Sequence, residues 1–340
     1  MKKVLLLIGL SAAVLLATLF LPATTFDGPK AYFILEEGEN NTKGATAKME
    51  GLVRYRWALN LMGGVLSVDS HLKPGKFELK QGQNILSIIR QLRNNRQAET
   101  KLIVTKLRTK MDLARLIGKN FKVDSTTVMQ FLQSNDSLKA FGVDTNTAMT
   151  LVIPNTYSFY WNTPLHNIFK KLAAEKDAFW NNDNRKEKAA KLGYTPEQVY
   201  TLASIVEEET IRDDEKGNIA SVYLNRLRIG MEMGADPTIK FALNDFSIKR
   251  ILEKHLNVQS PYNTYRNIGL PPGPICTPSF VTIDATLNAP KTDYLFCCAK
   301  ADFSGYHNFA ATYAQHLKFA DEYQQELNRI AKAKAQSAAK

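Results

Sequence analysis

The chain has 340 residues, which suits two or three domains of average size and is long enough to bury a sizeable core. Hydrophobic residues make up 44% and charged residues 23% of it, so wholesale disorder, collagen-like repeats and a disulfide-dense miniprotein are excluded. The net charge of +11 is compatible with an anionic polymer as partner, and nucleic acid is one such polymer among several.

An uncharged apolar run from Val4 to Leu21 follows Lys2 and Lys3 at the N-terminus. A helix of this run with its uncharged flanks is long enough to cross a hydrocarbon core of roughly 30 Å. The two lysines predict a cytoplasmic N-terminus, with the chain beyond residue 24 outside the cytoplasm. The alternative is a cleaved signal peptide, which would need a shorter apolar region and a clean cleavage site. We therefore expect residues 1–24 to form a single-pass anchor in the cell (inner) membrane.

Residues 25–105 show a strand–turn–helix order. Alternating Phe77 and Leu79 predict a strand, and the spacing of the isoleucines and leucines in 85–92 predicts a helix with one apolar face. The order recurs at 102–105 and 111–117. This pattern resembles a LysM-type carbohydrate-binding module, and a generic α+β packing module fits it as well. We expect a small α+β domain here, then a larger mixed α/β domain over 106–325 and a basic Ala/Lys tail over 326–340.

Several common classes of enzyme leave no signature in this sequence. It has no glycine-rich phosphate loop, no H-E-x-x-H, no C-x-x-C and no G-x-S-x-G, and its five histidines are scattered. Cys276, Cys297 and Cys298 are interpreted as packing residues, although an oxidising compartment would allow a pair with Cys276. Zinc hydrolases and nucleotide-dependent enzymes are therefore not expected, and neither is a metal or organic cofactor.

A helix that ends in three consecutive glutamates carries the clearest chemical signal. Thr195, Pro196 and Gln198 predict a capped helix start, and the apolar residues that follow define one buried stripe. On a helical wheel Glu208 then faces water, whereas Glu207 and Glu209 lie at the two edges of the stripe. A half-buried carboxyl at such an edge disfavours its charged form, as a general acid near neutral pH requires. The wheel does not choose between Glu207 and Glu209, and a charged helix end without chemistry is the alternative.

The segment 202–210 resembles the A-S-I-V-E-K-E-T motif of the YceG-like family of membrane-bound endolytic murein transglycosylases. Residues 153–157 resemble that family's F-P-D-T-Y, with Asn155 where aspartate is usual. Further blocks that resemble the family follow in order, at 220–227, 234–238, 262–265, 269–275, 277–278 and 307–316. The resemblance covers roughly residues 150–320.

The resemblance implies cleavage of a peptidoglycan glycan strand between N-acetylmuramic acid and N-acetylglucosamine, within the strand and without consuming water. The product would carry a 1,6-anhydromuramoyl end. By alignment the catalytic acid is Glu207, while Glu208 stands where the family usually has lysine. One carboxyl suffices because the 6-hydroxyl of the substrate supplies the nucleophile. Family analogy further implies work beside the cell-wall synthases on the extracytoplasmic side, which disfavours nucleic acid as a partner.

Other residues of the matching blocks are candidates for substrate binding. Glu209 either orients Glu207, binds sugar or is structural. Asp236 and Thr238 are expected to border the cleft. Asn263 and Tyr265 are candidates to hydrogen-bond to and stack on a sugar ring, with core packing as the alternative for Tyr265.

Two other functions compete with the transglycosylase. A wall-binding adaptor would keep the cleft but lack the acid, and the intact motif around Glu207 argues against it. A true hydrolase would need a second carboxylate about 5–9.5 Å from the acid, for which Asp236 is the candidate.

Overall fold

The computed structural model describes residues 2–338, and they form two compact units. The smaller unit comprises the chain up to Leu102 together with Gly118–Val123 and Ser158–Pro164. The larger unit comprises Ile103–Ile117, Asp124–Tyr157 and the chain from Leu165 onward. Both units mix helices with short two-stranded sheets, so the chain is α+β as predicted.

The smaller unit is built around one antiparallel strand pair. Its elements are α1 (Lys2–Phe20), β1 (Lys30–Leu35), α2 (Thr42–Lys48), α3 (Arg56–Val65), β2 (Gly75–Lys80) and α4 (Ile85–Arg93). Phe33 of β1 lies opposite Phe77 of β2, and the two rings stack with their centroids 5.5 Å apart. The predicted apolar face of α4 is buried in the same core as this pair, where α4 packs against α1 and α3, because the side chains recurring at helical spacing all point to one side.

The prediction of a membrane-spanning anchor over residues 1–24 is wrong for the described chain. Among residues 2–338, no helix combines the length and the apolar character that crossing a membrane requires. The end of α1 instead takes part in globular packing, since Leu19 is buried in the core of the smaller unit and Leu15 packs against it. An apolar helix can cross a membrane or pack into a globular core, and hydrophobicity alone did not distinguish these two roles. Met1 lies outside the described residues.

The LysM-like reading of residues 25–105 is not supported either. The two predicted strand–turn–helix copies do not join in one sheet: β2 pairs with β1, whereas the strand of the second copy, β3 (Glu99–Ile103), pairs with a later strand, β4 (Thr156–Tyr160). Strand pairing depends on contacts distant in sequence, which local periodicity does not encode. The strands β3 and β4 contribute residues to both units.

The larger unit is mainly helical. Like β3 and β4, its first helix, α5 (Lys110–Asn120), has residues in both units. The elements that follow are α6 (Ser125–Leu132), α7 (Asn135–Lys139), α8 (Leu165–Asn181), α9 (Arg185–Leu192), α10 (Pro196–Glu209), α11 (Lys216–Arg228), α12 (Asp236–Ala242), α13 (Phe280–Leu287), β5 (Phe296–Ala299), β6 (His307–Ala310) and α14 (Tyr313–Ala338). The predicted tail from residue 326 is the end of α14 as far as Ala338, and residues 339–340 lie outside the described part. β5 and β6 form an antiparallel pair.

The helix α10 is the centre of the larger unit. It begins at the predicted capping box, with Thr195 as N-cap, Gln198 reciprocating and proline in the first turn. It packs against α9, α11, α12 and α13, and every residue from Val199 to Val206 is buried. A helix buried all round has no water-facing side in its middle. The three glutamates follow directly on this buried stretch.

A segment rich in proline and glycine, 269–278, runs past α10 and leads into α13. The buried Ser204 of α10 accepts a hydrogen bond from the Ile275 amide (3.0 Å), and Cys276 is buried beside it. A Cβ atom at Gly273 would lie 2.0 Å from the Asn146 carbonyl oxygen, so this close approach of two backbones requires glycine. The segment therefore places the start of α13 next to the end of α10.

Candidate active site

Glu207, the predicted acid, lies at the junction of α10, α11 and α13. Its side chain is 15% exposed. Its Oε2 accepts hydrogen bonds from the Ser279 hydroxyl (3.0 Å), the Ser279 amide (3.4 Å) and the Thr282 hydroxyl, and lies 3.4 Å from the Lys216 ammonium. Every described hydrogen bond to this carboxyl is to Oε2, so Oε1 is the oxygen left to face a reactant.

The donors around Glu207 are held in place by their own partners. Ser279 is the N-cap of α13, and its hydroxyl oxygen accepts from the Thr282 amide (3.3 Å), which lies one turn into that helix. The Lys216 side chain is 5% exposed and forms a second ion pair with Asp213 (2.7 Å). A carboxylate bound by hydroxyls and an ammonium is stabilised in its charged form once it has given up a proton.

Sequence reasoning missed the three residues that surround Glu207, namely Lys216, Ser279 and Thr282. A local signal existed for Ser279, because serine after proline and before an apolar run is typical of an N-cap. Ser279 and Thr282 lie 72 and 75 positions after Glu207 in the sequence, so no local pattern predicts that they contact it. Lys216 lies nine positions after Glu207, which is too far for two neighbours on one helix.

Glu209 occupies a different environment from Glu207. The Tyr223 hydroxyl of α11 donates to its Oε1 (2.5 Å). Burial raises the pKa of the Glu209 carboxyl above its ordinary value; the hydrogen bond from Tyr223 opposes this shift, and the charge of Asp236 adds to it. Burial likewise raises the pKa of Tyr223 well above that of an exposed tyrosine. The structure thus separates the two glutamates that the helical wheel left equivalent.

Glu208 does not face water, contrary to the wheel. Its side chain is 14% exposed, and it accepts hydrogen bonds from Nε and Nη2 of Arg108 at 3.2 and 3.0 Å. The Lys106 ammonium lies 3.1 Å from the same carboxylate. The wheel assumed one solvent-facing side, whereas the segment that carries Lys106 and Arg108 covers this side of α10.

Asp236 and Tyr265 form a pair at the start of α12. The Tyr265 hydroxyl donates to Asp236 Oδ1 (2.6 Å), and Asp236 is exposed. Burial raises the pKa of Tyr265, and the hydrogen bond to Asp236 raises it further by a smaller amount. The charge of Asp236 also raises the pKa of Glu209, so Asp236 and Glu209 belong to the same polar region.

Thr238 and Asn263 are framework residues in this structure. Thr238 is fully buried, donates to the Ala235 carbonyl (2.7 Å) and hydrogen-bonds to Thr264 (2.8 Å). Asn263 is fully buried, donates to two backbone carbonyls at 2.9 Å and accepts from the Tyr265 amide (3.0 Å). Their polar groups are satisfied by the protein, so they position Asp236 and Tyr265 rather than face a cleft.

His307 is paired with a buried carboxylate. Its amide donates to Glu215 Oε1 (2.7 Å), and its Nδ1 lies 3.1 Å from Oε2 of the same residue. Glu215 directly precedes Lys216, so this contact attaches β6 to the start of α11. Within residues 2–338, no cluster of histidine, cysteine or carboxylate side chains has the arrangement of a metal site, and the three cysteines are free thiols.

Comparison with known proteins bears on these residues. The family model described as the YceG-like family matches residues 34–322. The endolytic murein transglycosylase of Bacillus subtilis (strain 168) is 35% identical over 173 residues, which are 51% of this chain and 47% of the relative. The protein of the same name from Streptococcus pneumoniae (serotype 2, strain D39) is 30% identical over 152 residues, 44% of this chain and 27% of the relative. The aligned part therefore spans half or less of these curated relatives.

A crystal structure of a YceG-like protein from Listeria monocytogenes has the same fold. It superposes with a TM-score of 0.57 at 24% sequence identity, covering 85% of this chain and 98% of that one. The family match spans most of the chain and includes α10, the 269–278 segment and α13, which together build the surroundings of Glu207. The chain belongs to the YceG-like family.

Proposed function

We propose that this protein is an endolytic lytic transglycosylase that cleaves peptidoglycan glycan strands and leaves 1,6-anhydromuramoyl ends. The relatives from Bacillus subtilis and Streptococcus pneumoniae, both named endolytic murein transglycosylases, support the activity. The observation that carries the proposal is the arrangement of Glu207, whose Oε2 is bound by donors from two elements while Oε1 is left for the substrate.

In the proposed reaction Glu207 acts first as acid and then as base. Protonated Oε1 donates to the glycosidic oxygen, the bond from that oxygen to C1 of N-acetylmuramic acid breaks, and positive charge develops at C1. The N-acetylglucosamine leaves with a free hydroxyl group. The Glu207 carboxylate then takes the proton of the 6-hydroxyl as that oxygen attacks C1. This closes the anhydro ring and restores the acid.

Lys216, Ser279 and Thr282 are positioning residues in this scheme. They bind Oε2 and stabilise the negative charge that appears on Glu207 when the proton leaves. Glu209 is assigned to the cleft wall with Asp236 and Tyr265, where it contacts the sugar or holds Tyr223. We infer that the protein acts on the extracytoplasmic side, where peptidoglycan lies, and beside the synthases that make new strands.

Mass spectrometry of peptidoglycan incubated with the full chain tests the proposal. Wild type should release internal fragments with anhydro ends, and Glu207→Gln should release none, whereas Glu209→Gln should still release such fragments, at a reduced rate. Products heavier by one water would identify a hydrolase. Binding without new ends would identify the adaptor, and loss of activity only in Glu209→Gln would move the acid to that residue.

A further inference from the structure

A separate pocket of about 300 Å³ opens beside the start of α13. It lies between the end of α8, the 153–157 segment and the first residue of α13, and its walls include Asn155, Glu175, Phe179, Asn182, Arg185 and Phe280. We call it the Phe280 pocket. Its volume is at the lower end of the range for small-ligand sites, which suits a single ring rather than an extended ligand.

Phe280 offers the pocket a flat apolar surface. Its side chain is 54% exposed although it stands in the first turn of a helix whose other side is buried. The face of an aromatic ring carries partial negative charge and attracts the polarised C–H groups of a stacked ligand. A sugar ring presents such C–H groups on one face and hydroxyl groups at its edge.

The polar groups of the pocket match the edge of a sugar. Asn182 and Glu175 are exposed, and among the described residues neither side chain has a hydrogen bond or ion pair. The side-chain Oδ1 of Asn155 accepts from the Thr156 amide (2.7 Å), which leaves the side-chain NH₂ group of Asn155 as a donor. Two amides and a carboxylate provide both donors and acceptors for hydroxyl and acetamido groups.

The charge of the pocket argues for a neutral ligand. Arg185 donates to both carboxylate oxygens of Asp284 at 2.7 and 2.9 Å and forms a further ion pair with Asp183 (3.0 Å). Its cation is therefore compensated twice, while Glu175 adds a negative charge. A phosphate or a peptide carboxylate would find no unpaired cation here, whereas an uncharged sugar meets no such penalty.

The pocket is pre-formed. The Arg185 guanidinium lies 4.1 Å from the centre of the Phe179 ring and donates to the Phe179 carbonyl (3.0 Å). The Tyr157 hydroxyl donates to the Ile153 carbonyl, which closes the segment 153–157 on itself. Walls fixed in this way lose little conformational entropy when a ligand binds.

Phe280 is the chain neighbour of Ser279, whose hydroxyl lies 3.0 Å from Glu207 Oε2. Consecutive Cα atoms are about 3.8 Å apart, so the pocket begins one residue from the partner of the proposed acid. We propose that the Phe280 pocket is a subsite for one N-acetylglucosamine ring of the glycan strand, stacked on Phe280 and hydrogen-bonded by Asn155, Glu175 and Asn182. This proposal rests on the proposed function, since it assigns another sugar of the same substrate.

Isothermal titration of the full chain with N-acetylglucosamine oligomers tests the subsite. These oligomers contain no N-acetylmuramic acid, so binding is read independently of cleavage, and a failed subsite is distinguishable from a failed reaction. We expect wild type and Glu207→Gln to bind alike and Phe280→Ala to raise Kd about tenfold or more. Asn182→Ala should also weaken binding, which keeps the test valid if Phe280→Ala does not fold.

Two matched variants serve as controls. Phe303→Ala removes another exposed phenylalanine, and Asn181→Ala removes the amide next to Asn182, and neither residue lines the pocket. Both should bind with the wild-type Kd. The subsite is refuted if wild type does not bind the oligomers, or if folded Phe280→Ala and Asn182→Ala both keep the wild-type Kd.

Discussion

Thr282→Val tests whether the hydroxyl groups at the start of α13 serve the chemistry of Glu207. Valine has nearly the same shape as threonine but lacks the hydroxyl that donates to Glu207 Oε2. Thr282 is fully buried, so water does not readily replace the lost donor. The substitution therefore removes one charge-assisted hydrogen bond with little change in packing.

The expected loss follows from what that bond contributes. A hydrogen bond to a charged group contributes roughly 1.5–3 kcal/mol. The bond strengthens as negative charge develops on Glu207, so its loss falls on the transition state rather than on substrate binding. At about 1.36 kcal/mol for each factor of ten, kcat should fall about 10- to 150-fold.

The assay is the release of anhydro-ended fragments as a function of glycan-strand concentration. We expect kcat to fall while KM stays close to the wild-type value. Thr286→Val is the matched control, because Thr286 lies one turn later on α13, is equally buried and donates only to the Thr282 carbonyl (2.8 Å). A folded Thr282→Val protein with wild-type kcat would refute the role assigned to these donors.

Two further predictions concern stability. Ser204→Ala should lower the free energy of unfolding in urea by about 1–3 kcal/mol, because it leaves the buried Ile275 amide without its acceptor; an unchanged denaturation midpoint would contradict this. Glu209→Gln should remove a pH dependence. Since burial raises the folded-state pKa of Glu209, wild type loses stability as pH rises from 4.5 through that raised value, and the glutamine variant should lack this slope. Parallel stability–pH curves for the two proteins would be inconsistent with that burial.

The sequence predicted local structure well where local residues determine it. The capped start of α10 and the apolar face of α4 follow from residue spacing and from side chains close in the chain, and both are observed. The motif at the end of α10 indicated the family, which the comparisons bear out. Such features depend on neighbours within a few positions, so they are readable without a structure.

The predictions that failed concerned helices whose surroundings are set by segments distant in the sequence. Periodicity does not show that segment 106–108 lies over the glutamate end of α10, so Glu208 was expected in water. An apolar N-terminal run does not show that Leu19 packs into a globular core. In both places the same local sequence pattern fits two environments: water or a covering segment for Glu208, and a membrane or a globular core for the N-terminal helix. Only contacts between residues distant in sequence distinguish these environments.

The sequence by itself determined that α10 ends in three carboxylates and that the chain resembles the YceG-like family. Tertiary structure alone decided how those carboxylates differ. Glu207 meets Lys216, Ser279 and Thr282, Glu208 is paired with two cations, and Glu209 is buried against Tyr223. The charge state and reactivity of a carboxyl depend on the donors, charges and solvent around it, and the packing of α11, α13 and the 106–108 segment supplies these to adjacent residues in different combinations.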